Sequence, residues 1–200
     1  IISVLSIILN HSLFLYGGEL SIAIYGIISR MLMFALFPVV GIAQGFMPIA
    51  GYNYGAEKFQ RVRESINTSI KYATGFALAI FIIIMIFPEQ IVSIFTENSD
   101  ILKETPNALR IVFGVTPLIA IQLIGSAYFQ SIGKALPALL LTLTKQGFFL
   151  IPLVLILPEY FGIIGVWISF PIADILSTAV TAIFLKKEIR QYNFAKKSKG

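Results

Sequence analysis

Long apolar runs dominate the chain, and short polar or turn-forming stretches separate them. A helix needs roughly 20 residues to cross a hydrocarbon core, and four of the six runs are at least that long; the first is expected to be cut short at its start. The six predicted spans are about 1–16, 21–50, 72–87, 106–130, 136–157 and 162–185. This pattern predicts an all-α, polytopic membrane protein with six transmembrane helices.

The second span ends in a stretch that is rich in helix-breaking residues. They are Pro38, Gly41, Gly45, Pro48, Gly51 and Gly55. Each proline removes a backbone donor and each glycine lowers helix propensity, so a soluble helix would rarely hold so many. In a membrane bundle neighbouring helices satisfy the freed groups, and the Gly41-xxx-Gly45 spacing allows another backbone to approach closely. We therefore expect a broken membrane helix with these residues as hinge or packing positions.

A charged membrane surface is expected directly after this helix. A polar turn at 52–56 leads into residues 57–72, which alternate apolar and charged side chains at helical spacing. Such an amphipathic segment is typical of a helix that lies along the membrane interface. We expect it to do so before the third span begins.

Composition narrows the class of protein further. The 200 residues are 57% hydrophobic and only 12% charged, whereas soluble domains carry about 25% charged residues. The sequence has no cysteine, which excludes disulfides and thiolate metal sites. It has one histidine and lacks HExxH, GxSxG and phosphate-loop patterns. We therefore expect no enzyme, no catalytic residues, no resident metal and no organic cofactor.

Lysine and arginine residues gather on alternate loops. One set of loops and the C-terminal tail carries eleven of them, whereas the other set carries only Lys103. Basic loops remain on the cytoplasmic side, so we expect a multi-pass protein of the plasma (inner) membrane with a cytoplasmic C-terminus. The net charge of +5 then needs no nucleic-acid partner. Residues 1–188 are predicted to form one lobe, and 189–200 a basic cytoplasmic tail next to the lipid bilayer.

Four charged residues fall inside the predicted spans: Arg30, Arg110, Lys145 and Asp174. Each costs about 2.5–3.5 kcal/mol at mid-membrane, so such residues usually pair or line a cavity. Lys145 and Asp174 lie about 14 Å and about 17 Å from the same end of adjacent antiparallel spans. We predict that they interact, directly or through water. The pair either locks two helices together or lets Asp174 couple transport to a proton or cation; Arg30 is the third candidate.

Several uncharged or weakly titrating polar side chains lie within or beside the spans, and six of them are candidates for a substrate path. They are Asn10, Tyr25, Gln44, Gln122, Tyr128 and Gln146. Such groups commonly bridge helices through hydrogen bonds. The alternative is that they line a substrate path which, with the abundant aromatic residues, suits organic cations.

Two combinations of motifs resemble the C-terminal lobe of the multidrug and toxic compound extrusion (MATE) family. They are GIAQG…PIAGYNYGA…RV in 41–62 and FQSIGK…P…GVW…P…D in 129–174, and the resemblance covers essentially the whole chain. It implies a twelve-helix exporter of two six-helix lobes, in which the N-terminal lobe is the missing partner. Such proteins alternate between outward- and inward-facing states and exchange Na⁺ or H⁺ for cationic, often aromatic, small molecules.

The coupling residues of the family do not transfer to this sequence. Some members carry an acid in the first helix of this lobe, where the chain has Ser3, and others carry it in the N-terminal lobe. The coupling ion, Na⁺ or H⁺, therefore stays open, and Asp174 is a candidate from its depth alone. Two alternatives remain: a flippase of the same superfamily for lipid-linked oligosaccharides, which a wider basic cavity would favour, and a non-transporting membrane bundle.

Overall fold

Nearly every residue of the structure is helical. It is a computed structural model that describes residues 2–197, with the side chains of residues 3–191. The elements are α1 (Ile2–Gly55), α2 (Phe59–Ile86), α3 (Pro88–Ser93), α4 (Ser99–Phe113), α5 (Thr116–Ser131), α6 (Ala135–Leu143), a π-helical segment (Thr144–Leu150), α7 (Ile151–Phe161) and α8 (Ile163–Lys197). No strand occurs in the described range, so the all-α fold class is confirmed. The basic tail predicted for 189–200 begins inside α8, and its last three residues lie outside that range.

Several helical stretches are long and apolar enough to cross a membrane. They are Ser3–Gly55, Phe59–Ile86, Ala135–Phe161 and Ile163–Gln191. α4 and α5, which meet at an angle of 48°, give one more crossing if they are counted together. α1 has 54 residues, a length of roughly 80 Å, which is too long for a single crossing.

α1 reverses direction at Gly18. This residue has φ 65° and ψ −165°, a conformation that glycine adopts without a steric penalty. On one side of it, the Ser12 hydroxyl donates to the Val154 carbonyl at 3.4 Å. On the other side, Tyr25 packs on Phe170, with ring centroids 5.9 Å apart. Val154 and Phe170 each lie about two helical turns from the α7–α8 connection, so both halves of α1 extend from Gly18 in the same direction, as the predicted spans 1–16 and 21–50 require.

The second half of α1 is not broken where the sequence predicted. The helix continues through Pro38 and Pro48 as far as Gly55. The turn that follows consists of residues 56–58 only. Both prolines lie on the exposed face of α1. On the opposite face, four residues are buried in a hydrophobic cluster with neighbouring helices: Val39, Ala43, Phe46 and Ala50. Packing of that face outweighs the hydrogen bonds lost at the prolines, so the prediction of a broken helix is wrong.

The predicted interfacial helix is also corrected by the structure. Residues 57–72 do not form a separate element, because most of them belong to the first half of α2, a single helix of 28 residues. Val62 and Ile66 from this half are buried in the bundle. The amphipathic spacing therefore arises because one face of α2 packs against neighbouring helices. The helix of the third span begins at Phe59 and not near residue 72.

The fourth and fifth spans contain two distortions that the sequence did not predict. α4 ends at Phe113 and α5 begins at Thr116 with a bend of 48° between them. Between α6 and α7 the chain passes through the π-helical segment. Distortions of this kind inside a helix frequently mark functional positions.

Two hydrophobic clusters fill the lobe. Members of the first core cluster include Leu9, Leu109, Val154, Trp167 and Ala173. Members of the second core cluster include Ala43, Ile66, Ile124, Leu141 and Leu185. The first lies toward the α7–α8 connection, and the second lies toward the end where α2 begins. The long helices pass from one cluster into the other, so the boundary between the clusters crosses the middle of the bundle.

Candidate functional site

Polar side chains gather at the boundary between the two core clusters. On α8 the boundary lies between Ala173 and Leu185, and along α6 and the π-helical segment it lies between Leu141 and Leu150. The side chains of this polar layer are Thr116, Thr144, Lys145, Asp174, Ser177 and Thr178. The threonine and serine hydroxyl groups among them donate to backbone carbonyls. They are therefore satisfied within the protein, and the two charged groups stand out.

Lys145 and Asp174 form an ion pair inside the polar layer. Lys145 Nζ lies 2.5 Å from Asp174 Oδ1, so the structure joins directly the two residues that the sequence placed at a similar depth. The Asp174 side chain is 4% exposed and that of Lys145 is 22% exposed. Apart from this ammonium group, Oδ1 has no hydrogen-bond partner among the described residues. The carboxylate is enclosed, whereas the Lys145 side chain is partly exposed at the surface of the lobe.

The π-helical segment carries Lys145 as its second residue. The preceding residue, Thr144, donates its hydroxyl to the Leu140 carbonyl at 2.6 Å. A π turn holds one more residue than an α turn, so it changes the helix face on which the following side chains lie. The position of Lys145 therefore depends on a local feature that is itself uncommon.

Asp174 lies at the level of the break between α4 and α5. One turn after it, the Thr178 hydroxyl donates to the Leu118 carbonyl at 3.3 Å. α5 and α8 run in the same direction, because a Cβ placed on Gly125 would lie 3.1 Å from Leu185. One turn before Leu118 is the break itself, so the carboxylate and the break share one depth. Breaks of this kind can bring backbone groups to mid-membrane, where they can hold ions.

Arg30 and Arg110 do not join the charged pair. Both side chains are exposed, and neither forms an ion pair with another described residue. Their long apolar stems can carry the guanidinium groups to polar surroundings. In this lobe Arg30 is therefore a surface residue of α1.

The six candidates for a substrate path divide into two groups. Four lie at or near the surface of the lobe: Asn10, Tyr25, Gln44 and Gln146. Gln122 and Tyr128 are buried, and Tyr128 packs edge-on against Phe129 with ring centroids 5.1 Å apart. In this structure the side chains of Gln122 and Tyr128 face the interior of the lobe, where a bound molecule on its surface would not touch them.

Close approach of two helices occurs at Gly51. A Cβ there would lie 2.8 Å from the Ser131 carbonyl oxygen, so α1 and α5 nearly touch at this point. At Gly41, Gly45 and Gly55 a Cβ would meet no described atom within 4 Å. The close packing that we predicted at Gly41 and Gly45 is therefore absent within the described part of the lobe. These two glycines lie on the exposed face of α1, beside Gln44.

A second ion pair, which the sequence analysis missed, joins the start of α6 to α8. Lys134 Nζ lies 2.6 Å from Oε1 and 2.7 Å from Oε2 of Glu188. In the sequence, Lys134 is one of the eleven basic residues on the predicted cytoplasmic side. The available signal was that Glu188 is the only acidic residue after Asp174, within an otherwise basic stretch.

Comparison with known proteins identifies the family that the chain resembles. A family model described as MatE matches residues 1–156. Multidrug export protein MepA of Staphylococcus aureus strain MSSA476 is 27% identical over 184 residues, which are 91% of this chain and 40% of MepA. MepA of Staphylococcus haemolyticus strain JCSC1435 is 25% identical over 190 residues, which are 95% of this chain and 41% of that protein. The chain thus spans about two fifths of the length of these curated relatives.

Solved structures resemble the lobe closely. A MATE family transporter of the MOP superfamily in an outward-facing conformation is 26% identical, with a TM-score of 0.90 over 96% of this chain and 43% of that one. An inward-facing MATE transporter of that superfamily gives the same identity and TM-score, over 96% of this chain and 44% of that one. The MATE multidrug transporter DinF-BH is 42% identical, with a TM-score of 0.77 over 88% of this chain and 39% of that one.

Proposed function

This chain belongs to the MatE family, and from that premise we propose that it is one lobe of a multidrug exporter that exchanges Na⁺ or H⁺ for organic cations. The family match confirms the resemblance found in the sequence motifs. The observation that carries the proposal is the similarity to MepA over 91% of the chain. Because the chain spans only 40% of MepA, we assign the rest of the transport path to an N-terminal six-helix lobe.

The lobe moves as a rigid body in the proposed transport cycle. Its fold matches an outward-facing and an inward-facing transporter with the same TM-score, 0.90. Equal agreement with both states supports a lobe whose helices keep their arrangement during the cycle. We assign the exposed face of α1 with Gly41, Gln44 and Gly45 to the contact with the other lobe, since small residues allow close approach.

The proposed substrates are cationic, aromatic small molecules. MepA is named as a multidrug export protein, and DinF-BH, which is 42% identical to this chain, as a multidrug transporter. In this chain the surface residues Asn10, Tyr25, Gln44 and Gln146 supply hydrogen-bonding groups and an aromatic face for a cation. We further propose that the C-terminus lies in the cytoplasm and that the membrane is the plasma membrane, and the basic residues at one end of the helices support this orientation.

The ion pair supplies the coupling site. When the Asp174 carboxylate takes up H⁺ or Na⁺, its attraction to the Lys145 ammonium group weakens, and Lys145 is released from α8. The carboxylate can hold the coupling ion or Lys145 at full strength, but not both. An organic cation that binds one of these states more tightly changes the affinity for the coupling ion. The coupling ion then changes the affinity for the organic cation by the same factor, as linkage requires. Antiport then requires that the organic cation favour the state in which Lys145 holds Asp174, so that the organic cation and the coupling ion each lower the affinity of the lobe for the other.

The test uses the full-length gene product in cells that lack their own efflux pumps. Ethidium accumulation is followed with and without Na⁺ and pH gradients for the wild type, Asp174→Asn and Glu188→Gln. We expect gradient-dependent efflux that Asp174→Asn abolishes and Glu188→Gln keeps, with equal amounts of protein in the membrane. Glu188 is a matched control because it is also a buried acid of α8 that pairs with a lysine.

Two results would contradict parts of this proposal. If Asp174→Asn exports ethidium as fast as the wild type, the pair only holds two helices together and takes no part in coupling. A full-length protein that reaches the membrane and exports no cationic dye under either gradient would contradict multidrug export. The flippase would then be tested by a lipid-translocation assay.

A further inference from the structure

A basic cleft opens at the end of the bundle where α2 begins. It lies between α2, α5 and α8 and has a volume of about 420 Å³. Its charged side chains are Arg63 of α2 and Lys186 and Arg190 of α8, and the amide of Asn67 lies one turn from Arg63. Lys186 is about 18 Å along α8 from Asp174. The cleft is therefore separate from the Lys145–Asp174 pair.

Among the described residues that line the cleft, none is acidic. Lys186 and Arg190 are four residues apart on one face of α8, and like charges at this spacing destabilise a helix. Arg63 adds a third positive charge from the facing helix. The nearby acid of α8, Glu188, accepts from Lys134 through both carboxylate oxygens. An anion in the cleft would relieve the repulsion among the three basic groups.

Below its basic rim the cleft is apolar. Ile66 and Ile70 of α2, Ile121 of α5 and Leu185 of α8 line the remaining wall. Small-molecule sites commonly have volumes of about 300–1,000 Å³, so the cleft is large enough for a phosphate-containing headgroup. A basic rim above an apolar wall is complementary to an amphiphile that carries a negative charge at one end.

We propose that this cleft binds the headgroup of an anionic phospholipid. The arginine side chains can bind phosphate oxygens with two parallel hydrogen bonds, and Lys186 adds a point charge. Basic pockets between membrane helices bind lipid phosphates in this way. The acyl chains then lie along the apolar wall, which distinguishes a lipid from a soluble phosphate ester. The site goes beyond the proposed export function and does not depend on which compounds are exported.

The test measures lipid binding to the full-length protein in detergent. Phosphatidylglycerol is titrated and the bound lipid is counted by native mass spectrometry, with phosphatidylcholine as the uncharged reference. The test variant is R63Q/R190Q. The matched control, R61Q/K187Q, removes two positive charges from neighbouring exposed positions of the same helices outside the cleft. We expect R63Q/R190Q to weaken phosphatidylglycerol binding by about tenfold or more, and R61Q/K187Q to change it by less than about twofold.

The outcomes separate the possible explanations. An equal loss in R61Q/K187Q would overturn the proposal in favour of diffuse surface charge. Competition by glycerol phosphate at the same affinity as the lipid would also overturn it, because the occupant would then be a soluble phosphate ester. K186Q alone provides a second measurement if R63Q/R190Q fails to fold, and we expect it to weaken phosphatidylglycerol binding by a few-fold. Unchanged binding in K186Q would count against the site.

Discussion

The two ion pairs of this lobe use the same chemistry in different surroundings. Each joins a lysine to an acid of α8. At the end of the bundle where α2 begins, the side chain of Lys134 is 36% exposed and that of Glu188 is 9% exposed, and both Glu188 oxygens accept from Lys134. In the polar layer, the side chain of Lys145 is 22% exposed and that of Asp174, whose Oδ1 contacts the ammonium group, is 4% exposed. Both acids are buried, but the first lysine is the more exposed one, and the second pair lies between the two hydrophobic clusters.

Depth decides what each pair can do. At the end of the bundle, water can take the place of Glu188 beside the more exposed Lys134, so this pair can hold α6 to α8 without controlling transport. In the middle of the bundle, a lost partner leaves a charge in apolar surroundings, which is strongly unfavourable. In the proposed transport cycle, the Lys145–Asp174 pair separates when another cation compensates Asp174. On that proposal, its depth is what distinguishes this pair from a clamp between two helices.

The largest expected effect is the loss of stability in Asp174→Ala. The substitution leaves the Lys145 ammonium group without its counter-charge, and breaking a buried pair from one side costs about 3–5 kcal/mol. We expect a clear fall in the thermal unfolding temperature of the full-length protein in detergent. The matched variant is Glu188→Ala, and an equal fall in both would remove the difference that we assign to depth.

Removing both charges of the buried pair separates stability from transport. In the double variant Lys145→Met/Asp174→Leu no charge remains unpaired, and hydrophobic replacement of a buried pair is often neutral or stabilising. We therefore expect an unfolding temperature close to that of the wild type, together with loss of gradient-driven ethidium efflux. A double variant that still exports ethidium would show that the pair acts only as a clamp.

Breaking the Lys134–Glu188 pair should lower the stability less. For Glu188→Ala we expect a loss of about 1 kcal/mol, because Lys134 can turn to water when its partner is removed. Ethidium efflux should remain at the wild-type rate once the amount of protein in the membrane is taken into account. A Glu188→Ala protein that is stable but does not export would mean that the α6–α8 contact takes part in the transport cycle.

The sequence predicted the charged pair because depth follows from counting residues. A fixed rise per residue places Lys145 and Asp174 at similar distances from one end of neighbouring helices. Their contact at 2.5 Å needed only that both side chains lie on facing sides of those helices. The family, too, could be recognised from short motifs without any structure.

Features that depend on packing could not be predicted from the sequence. Pro38 and Pro48 are local helix breakers, yet the buried face of α1 keeps the helix continuous through both. The π-helical segment and the break after α4 are irregularities within apolar runs whose composition resembles that of an ordinary span. The contact between Lys134 and Glu188 joins residues 54 positions apart, and neither local spacing nor depth indicated it.

The smallest expected effect, the response to salt, gives the finest comparison between the two pairs. Salt screens charges that water reaches far better than charges enclosed by protein. Raising the salt concentration should therefore reduce the difference in unfolding temperature between the wild type and Glu188→Ala. The difference between the wild type and Asp174→Ala should stay nearly constant over the same range. Equal salt dependence of the two differences would mean that water reaches the polar layer as freely as the end of the bundle, and the enclosed carboxylate could not be what couples ions to transport.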